Sequence, residues 1–367
     1  MDQATESYMQ RALALAARAR GRTSPNPMVG AVIVRDGLVV GEGYHQRAGT
    51  PHAEVHALRA AGEQARGATL YVNLEPCNHH GRTPPCTEAL IAAGIAEVHM
   101  AMLDPNPRVN GQGRARLEAA GIRTFVGALE DEARELNESF ITYITAGRPF
   151  VVAKFAASLD GKIATCTGES RWISGEVARR RTHELRDTVD AILVGANTVI
   201  ADDPRLTTRL PDCEVRHPLR IILDSRGRVP PTARVFDPAL PGQTLLATTP
   251  ALPAAHRTDL EARGVEVMAL PADAQNGVDL SALLTALGQR EVTSLLVEGG
   301  GTVLGSFFQA RLVDKVLAFL APLIIGGRKA PGAVAGEGVG CLADAPRLER
   351  VQVEWVDQDL LVTGYPQ

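Results

Sequence analysis

One break in pattern constrains this chain more than any other feature. Short β-branched runs alternate with segments of helical spacing up to Ala146-Gly147-Arg148-Pro149, where the pattern stops and begins again. Proline disfavours helical backbone in the residue before it, so a helix does not continue through Pro149. A chain of 367 residues divided at this point reads as two α/β domains, 1–146 and 149–367, each within the ordinary size range.

The first half predicts a helix over Tyr8 to Arg20. It then predicts a hairpin of Val29 to Val34 and Leu38 to Gly41 turning at Asp36-Gly37, a dipeptide suited to a tight β-turn. A helix over Ala53 to Ala61, a strand over Thr69 to Leu74, a helix over Thr87 to Ala93 and a strand over Glu97 to Met102 follow. Arg114 to Ala120 reads as a helix and Arg123 to Val126 as a strand. Such alternation implies an α/β sandwich around one sheet. The second half predicts strands at Phe150 to Phe155, Ala191 to Val194, Arg220 to Asp224, Thr244 to Ala247, Leu295 to Glu298, Val316 to Leu320 and Val351 to Glu354. Helices are expected at Gly175 to Arg186 and Asp279 to Leu287, and Val229 to Ala255 is expected to be surface loop around one strand.

Composition narrows the functional classes. A net charge of −4 and 4% aromatic residues argue against a nucleic-acid groove or a membrane-surface binder. The five cysteines are too few and too scattered for a disulfide framework. The N-terminal segment, with Asp2 and Glu6, lacks the apolar stretch of a secretory signal, and the run Val316 to Ile325, interrupted by Pro322, is too short to span a bilayer. A soluble cytoplasmic protein is expected.

The strongest chemical signal is His52-Ala53-Glu54 followed by Pro76-Cys77 and Pro85-Cys86. One imidazole and two thiolates hold zinc and leave a fourth tetrahedral position for water, whose pKa the metal lowers. Glu54, two residues from a ligand, reaches that water and shuttles its proton, the division of labour in zinc deaminases. The cysteines are separated by Asn78 to Pro85, a longer loop than the general pattern has, and this loop offers His79, His80 and Arg82 as specificity contacts. A structural zinc site closed by His45, His79 or His80 is the alternative, as is a nucleoside or nucleic-acid deaminase with an accessory C-terminal module.

The run Pro76 to Cys86 resembles the zinc loop of the pyrimidine deaminase of the riboflavin pathway, the N-terminal half of a bifunctional deaminase/reductase. Ser24 to Gly30, His52-Ala53-Glu54 and Asp104-Pro105-Asn106-Pro107 carry the same resemblance. It implies a cytidine-deaminase-like α/β/α sandwich with His52, Cys77 and Cys86 on zinc and Glu54 as proton shuttle. It also implies that Asn26, His45, His79, Asp104 and Asn106 hold the base and ribose phosphate. Asn26 and Asn106 flank prolines and read equally well as turn formers. His56, one turn after His52, reads as a packed helix residue.

No G-x-G-x-x-G fingerprint occurs. Glu298-Gly299-Gly300-Gly301-Thr302 instead follows an apolar run and precedes a helical segment, Val303 to Ala310, an order that can present N–H groups to a phosphate. Lys154 to Lys162, Gly168 to Ser174, Gly195 to Val199 and Asp202 to Arg209 accompany it. Together these segments resemble the C-terminal reductase half of the same bifunctional family, which has a dihydrofolate-reductase-like α/β fold and uses NADPH. The resemblance implies cofactor contacts at Ala156, Trp172, Thr198, Asp202, Ser225 and the loop Gly300, Gly301, Thr302, Val303, Leu304, Gly305 and Ser306. It implies substrate contacts at Lys154, Ser170, Arg186, Leu206, Arg209 and Glu298. Arg186 and Arg209 suit a sugar phosphate, and Glu298 and Ser170 suit ribose hydroxyls. Asp160 reads as a turn residue. The expected partner is a small-molecule phosphoribosylamino-pyrimidine, with neither nucleic acid nor membrane, and a homo-oligomer is expected.

Overall fold

The computed structural model describes residues 2–79, 84–107, 109–211 and 214–367. His80, Arg82 and Cys213 lie outside the described residues. The chain forms two compact units, Met1–Arg148 and Pro149–Gln367.

The first unit runs α1 (Gln3–Ala17), β1 (Gly30–Arg35), β2 (Leu38–Tyr44), α2 (Ala53–Ala61), β3 (Thr69–Leu74), α3 (Cys86–Ala93), β4 (Glu97–Met102), α4 (Gln112–Ala119), β5 (Arg123–Val126), α5 (Glu130–Leu136) and α6 (Glu138–Ala146). Among the described residues its sheet has the order β2-β1-β3-β4-β5. The β1–β2 hairpin turns through Asp36 and Gly37, both at positive φ, as the Asp-Gly pair predicts. Helix α1 begins earlier than its apolar spacing suggests, because the Asp2 carboxylate caps it by accepting the Thr5 N–H. Strand β1 alternates its side chains between two cores. Ala31 and Ile33 face α2, α3 and α4 through Ala53, Ala57, Leu90 and Leu117, while Val32 and Val34 face Met9 and Ala12 of α1. This two-period alternation with helices on both faces makes the sandwich.

The second unit runs β6 (Phe150–Ser158), α7 (Glu176–Thr188), β7 (Ala191–Gly195), α8 (Ala196–Asp202), β8 (Leu219–Leu223), β9 (Thr244–Thr248), α9 (Ala254–Glu261) and β10 (Glu266–Ala269). It continues with α10 (Leu280–Gln289), β11 (Ser294–Val297), α11 (Gly301–Gln309), β12 (Lys315–Ala321), β13 (Leu348–Val356) and β14 (Asp359–Pro366). Its sheet, among the described residues, has the order β10-β9-β8-β7-β11-β6-β12-β14-β13. Pairing is parallel from β10 to β12 and antiparallel in the β12–β14–β13 hairpin segment. Buried strands of this kind read as unbroken apolar runs, and β7 and β11 are buried throughout. The expectation that Val229 to Ala255 is surface loop is corrected. Val229, Val235 and Phe236 are buried with Ile222 and Leu246, because the short helical turn at Arg234–Phe236 covers one face of the sheet. Among the described residues no helix is long and apolar enough to cross a membrane.

Candidate active site

In the first unit, three local signals converge. His52 is the N-cap of α2, Cys77 follows β3, and Cys86 is the first residue of α3 after Pro85. His52 Nδ1 lies 3.5 Å from Cys77 Sγ and 3.3 Å from Cys86 Sγ. The three ligand atoms lie within 4.8 Å of one another, a spacing that fits a tetrahedral cation. Hydrogen bonding from the Cys86 thiol lowers Cys77 to about 4, and the same pairing raises Cys86. A divalent cation resolves that conflict by holding both as thiolates. Among the described residues, no fourth His, Cys, Asp or Glu completes the group, so the closed structural site loses His45 and His79 as candidates.

Glu54, in the first turn of α2, is 3% exposed, and its Oε2 has no hydrogen-bond partner among the described residues. Burial, joined by the Cys77 charge, pushes its carboxyl up to about 7. A buried carboxyl that exchanges a proton near neutrality suits general acid–base work. His45 is buried, with Nδ1 3.2 Å from the Pro51 carbonyl and Nε2 3.1 Å from Asn26 Nδ2. Pro51 can only accept, so the ring carries its hydrogen on Nδ1 and Nε2 accepts from Asn26. The His45 ring also meets the His52 ring edge-on at 5.3 Å. Asp104 accepts the Asn106 N–H at 2.9 Å, and burial raises its carboxyl, with Glu75, His79 and Cys77 among its charged neighbours. His79 is exposed. The structure thus brings His45 and Asn26 up to the His52 side of the metal cradle and joins Asn106 to Asp104.

In the second unit β6, β11 and β7 are parallel neighbours, and the carboxyl ends of such strands are the usual ligand position. β11 ends at Val297, paired with Ala153, so the next residue, Glu298, falls beside Lys154. Glu298 and Arg186 form a two-point ion pair at 2.7 and 2.8 Å, and Arg186 Nη1 donates to the Thr207 carbonyl at 3.2 Å. Three of the five guanidinium N–H groups of Arg186 are engaged in this way, and both Glu298 oxygens accept. Burial lowers the Lys154 ammonium, with Glu298 and Arg186 acting in opposite directions. Arg209 is exposed, its Nη1 donating to Thr207 Oγ1 at 3.3 Å.

The glycine turn is real, and its work is close packing. Gly300 has φ +58°, and a Cβ there would stand 2.9 Å from Thr198 Oγ1; one on Gly299 would stand 2.6 Å from Val194 Cα. This glycine surface beside Thr198 fits a phosphate-bearing cofactor. The implied loop Gly300 to Ser306 falls at the start of α11. Gly301, Leu304 and Gly305 are the buried face of α11, with the Ala335 backbone against the two glycines, so Thr302, Val303 and Ser306 carry its accessible side chains. Leu206 is likewise buried in the core, leaving only its backbone for substrate. Trp172 is 67% exposed, with Arg179 stacked at 4.5 Å from its ring centroid. Ser170 donates to Asp202 Oδ1 at 3.2 Å, tying the tryptophan loop to the end of α8. Ala156 lies two residues beyond Lys154, on the same face of β6. Ser225 follows β8 and accepts from Thr249 Oγ1 at 2.8 Å. Asp160, as expected, makes a turn, its carboxylate accepting from Ser158 and from the N–H groups of Ile325 and Gly326.

Two residues beside these sites escape motif reading. His183 stands three residues before Arg186 on α7, and its Nδ1 accepts the Arg209 N–H at 3.3 Å. Glu75, adjacent to Pro76-Cys77, is buried and receives three backbone N–H groups. Helical spacing from Arg186 and adjacency to the zinc motif are the signals that mark them.

The fold and site define a two-domain enzyme class, a zinc deaminase joined to a nucleotide-dependent reductase. Residues 2–102 match the cytidine and deoxycytidylate deaminase zinc-binding region, and residues 149–362 match the RibD C-terminal domain. The riboflavin biosynthesis protein RibD of Escherichia coli is 45% identical over 370 residues, covering 97% of each chain, and that of Aquifex aeolicus is 45% identical over 357 residues, also covering 97% of each. The solved structure of Acinetobacter baumannii RibD overlays with a TM-score of 0.88 at 39% identity, covering 100% of this chain and 99% of that one. A Thermotoga maritima structure, described as a diaminohydroxyphosphoribosylaminopyrimidine deaminase/5-amino-6-(5-phosphoribosylamino)uracil reductase, overlays with a TM-score of 0.86 at 39% identity and 99% coverage of both. The chain belongs to the RibD family of riboflavin biosynthesis proteins. Its units are accordingly a cytidine-deaminase-like sandwich and a dihydrofolate-reductase-like α/β fold.

Proposed function

We infer that this chain is a bifunctional enzyme of riboflavin biosynthesis. It deaminates 2,5-diamino-6-(5-phosphoribosylamino)pyrimidin-4(3H)-one hydrolytically and then reduces the ribosyl side chain to ribityl, with zinc and NADPH as cofactors. The observation that carries the first step is the buried Glu54 carboxyl, with its Oε2 unpartnered among the described residues, beside three converging metal ligands. Bound at His52, Cys77 and Cys86, zinc supplies the Lewis acidity that makes a water nucleophilic at neutral pH. Glu54 Oε2 takes the proton of the attacking water and returns it to the departing amino group, so C2 gains oxygen as ammonia leaves. His45, held by Asn26 and Pro51, borders the base, and Asn26, His79, Asp104 and Asn106 take up base and ribose phosphate.

In the second unit, NADPH supplies the two-electron reduction at C1′ once the ribosylamino group has opened. The glycine turn at Gly300, with Thr198, Thr302, Val303 and Ser306, holds the cofactor phosphates. Ala156, Trp172, Asp202 and Ser225 complete the contact. Lys154 and Ser170 meet the ribose hydroxyls, the Arg186–Glu298 pair shapes the floor, and Arg209 takes the phosphate. Residues 1–146 carry the deaminase and 149–367 the reductase.

The same reading places the enzyme in the cytoplasm as a homo-oligomer. Its support for assembly is β13, an edge strand of the second sheet whose Val351, Val353 and Trp355 stand exposed at alternate positions.

A paired assay tests the function. Zinc-loaded protein given the diaminopyrimidinone ribosyl phosphate is expected to release ammonia in a chelator-sensitive step, followed by stoichiometric NADPH oxidation. Ammonia without NADPH oxidation overturns the reductase half. No ammonia from zinc-replete protein overturns the whole reading.

A further inference from the structure

Glu75 has no part in the chemistry above, yet its carboxylate is committed more fully than a packing role requires. It follows β3, two residues before Cys77, and is buried. Its Oε2 accepts the N–H groups of Asp104 at 3.0 Å and Gly111 at 2.9 Å, and its Oε1 accepts that of Arg114 at 2.9 Å. Gly111 is the N-cap of α4 and has no side chain to receive the open N–H groups of the first turn. Glu75 reaches over from β3 to supply that acceptor, with its negative charge where the helix dipole favours it. The approach is close: a Cβ on Gly113 would strike the Pro76 carbonyl and stand 3.1 Å from Glu75 Oε1.

The bond from the Asp104 N–H has a different consequence. It fixes the backbone of Asp104, whose own carboxylate fixes the Asn106 N–H at 2.9 Å. One carboxylate thus ties Asp104, Asn106 and the start of α4 to the strand end that delivers Cys77. We propose that Glu75 is a positioning residue of the deaminase half, setting Asp104 and Asn106 at the distance from the metal ligands at which they grip substrate. The proposal rests on the reading of Asp104 and Asn106 as substrate contacts.

The test uses the full zinc-loaded chain with Glu75→Gln, Glu75→Asp and Asn106→Ala. Glu75→Gln keeps the shape but places an amide donor against N–H donors. It is expected to raise the deaminase KM by roughly tenfold with kcat within about threefold. Zinc content and reduction of pre-deaminated substrate are expected to be unchanged. Amide exchange is expected to quicken together at Asp104, Gly111 and Arg114. Faster exchange with an unchanged KM makes Glu75 a helix cap alone and overturns the proposal, as does loss of zinc with loss of kcat. If Glu75→Gln does not fold, Glu75→Asp, which keeps the charge one methylene short, is expected to raise KM less at full zinc content, and an unchanged KM overturns the proposal. Asn106→Ala separates the two claims. A silent Asn106→Ala removes the substrate reading itself, whereas a raised KM there beside a silent Glu75→Gln removes only the positioning.

Discussion

Arg186 and Glu298 meet through two parallel hydrogen bonds that join α7 to the end of β11. Burial pushes the Glu298 carboxyl upward, but the Arg186 guanidinium outweighs it and holds the group down at about 2. A pair of this kind is costly to break on one side, because the remaining charge stays buried without a partner. Arg186→Met is therefore expected to destabilise the second unit by about 3–5 kcal/mol and to lose the reductase step. Arg186→Met with Glu298→Leu is expected to recover much of the stability and none of the reduction. Urea denaturation with a reductase assay checks both, and a stable, active Arg186→Met removes the pair from the site.

His183 adds a pH dependence. Burial first, then the charges of Arg186 and Arg209, lowers its imidazole from 6.5 to about 4. Between those values the unfolded chain binds a proton that the folded chain refuses, so stability falls as pH drops from about 6.5 to about 4. His183→Gln is expected to flatten that part of the curve of urea midpoint against pH. Equal slopes in the two proteins exclude His183 as the source.

What the sequence makes legible here follows the range of the interactions. The Asp36-Gly37 turn, α2, β3 and β4 are local events, written in a turn dipeptide and in apolar periods, and the structure bears them out. The convergence of His52, Cys77 and Cys86 is legible for the same reason, since each sits in a short motif that also makes a helix start or strand end. The Arg186–Glu298 pair spans 112 residues, and nothing in either segment announces that one guanidinium is spent on the other. The burial of Val235 and Phe236 is also non-local, decided by the sheet face that a proline-rich stretch happens to cover. Strand β10 has only four residues and lies at a sheet edge, where its apolar pattern is weak.

Glu54→Gln separates metal binding from proton transfer. The amide is nearly isosteric and Glu54 contributes no ligand atom to the His52, Cys77 and Cys86 group, so zinc content is expected to match wild type. Ammonia release is expected to fall by about 10²- to 10⁴-fold, the size of a general acid–base contribution. Reduction of pre-deaminated substrate is expected to continue. Ammonia release within a few fold of wild type excludes the shuttle, and loss of zinc makes Glu54 part of the metal site instead.

The exposed face of β13 carries the assembly reading. Val351, Val353 and Trp355, the last 72% exposed, form an apolar stripe on an edge strand, a surface that is covered in most soluble proteins. Trp355→Lys is expected to lower the mass seen by light scattering to that of the single chain while leaving both activities of the separated subunits measurable. A wild-type protein that is already monomeric at micromolar concentration overturns the reading.

Arg209 is the sharpest test of the second site because its guanidinium, unlike that of Arg186, is not tied to a buried carboxylate. Its guanidinium is exposed and donates to Thr207 Oγ1, while its backbone N–H is held by His183. An exposed guanidinium fork is suited to a sugar phosphate, whereas the surface proposed above for NADPH is the glycine turn at Gly300 beside Thr198. Arg209→Ala is expected to raise the KM for the phosphorylated substrate by roughly ten- to a hundredfold, the worth of a hydrogen-bonded charge, with the KM for NADPH within about twofold. Removing the phosphate from the substrate is expected to cost wild type what the substitution costs, and to cost Arg209→Ala little more. Equal losses for substrate and NADPH, or additive losses for the substitution and the missing phosphate, place the phosphate elsewhere.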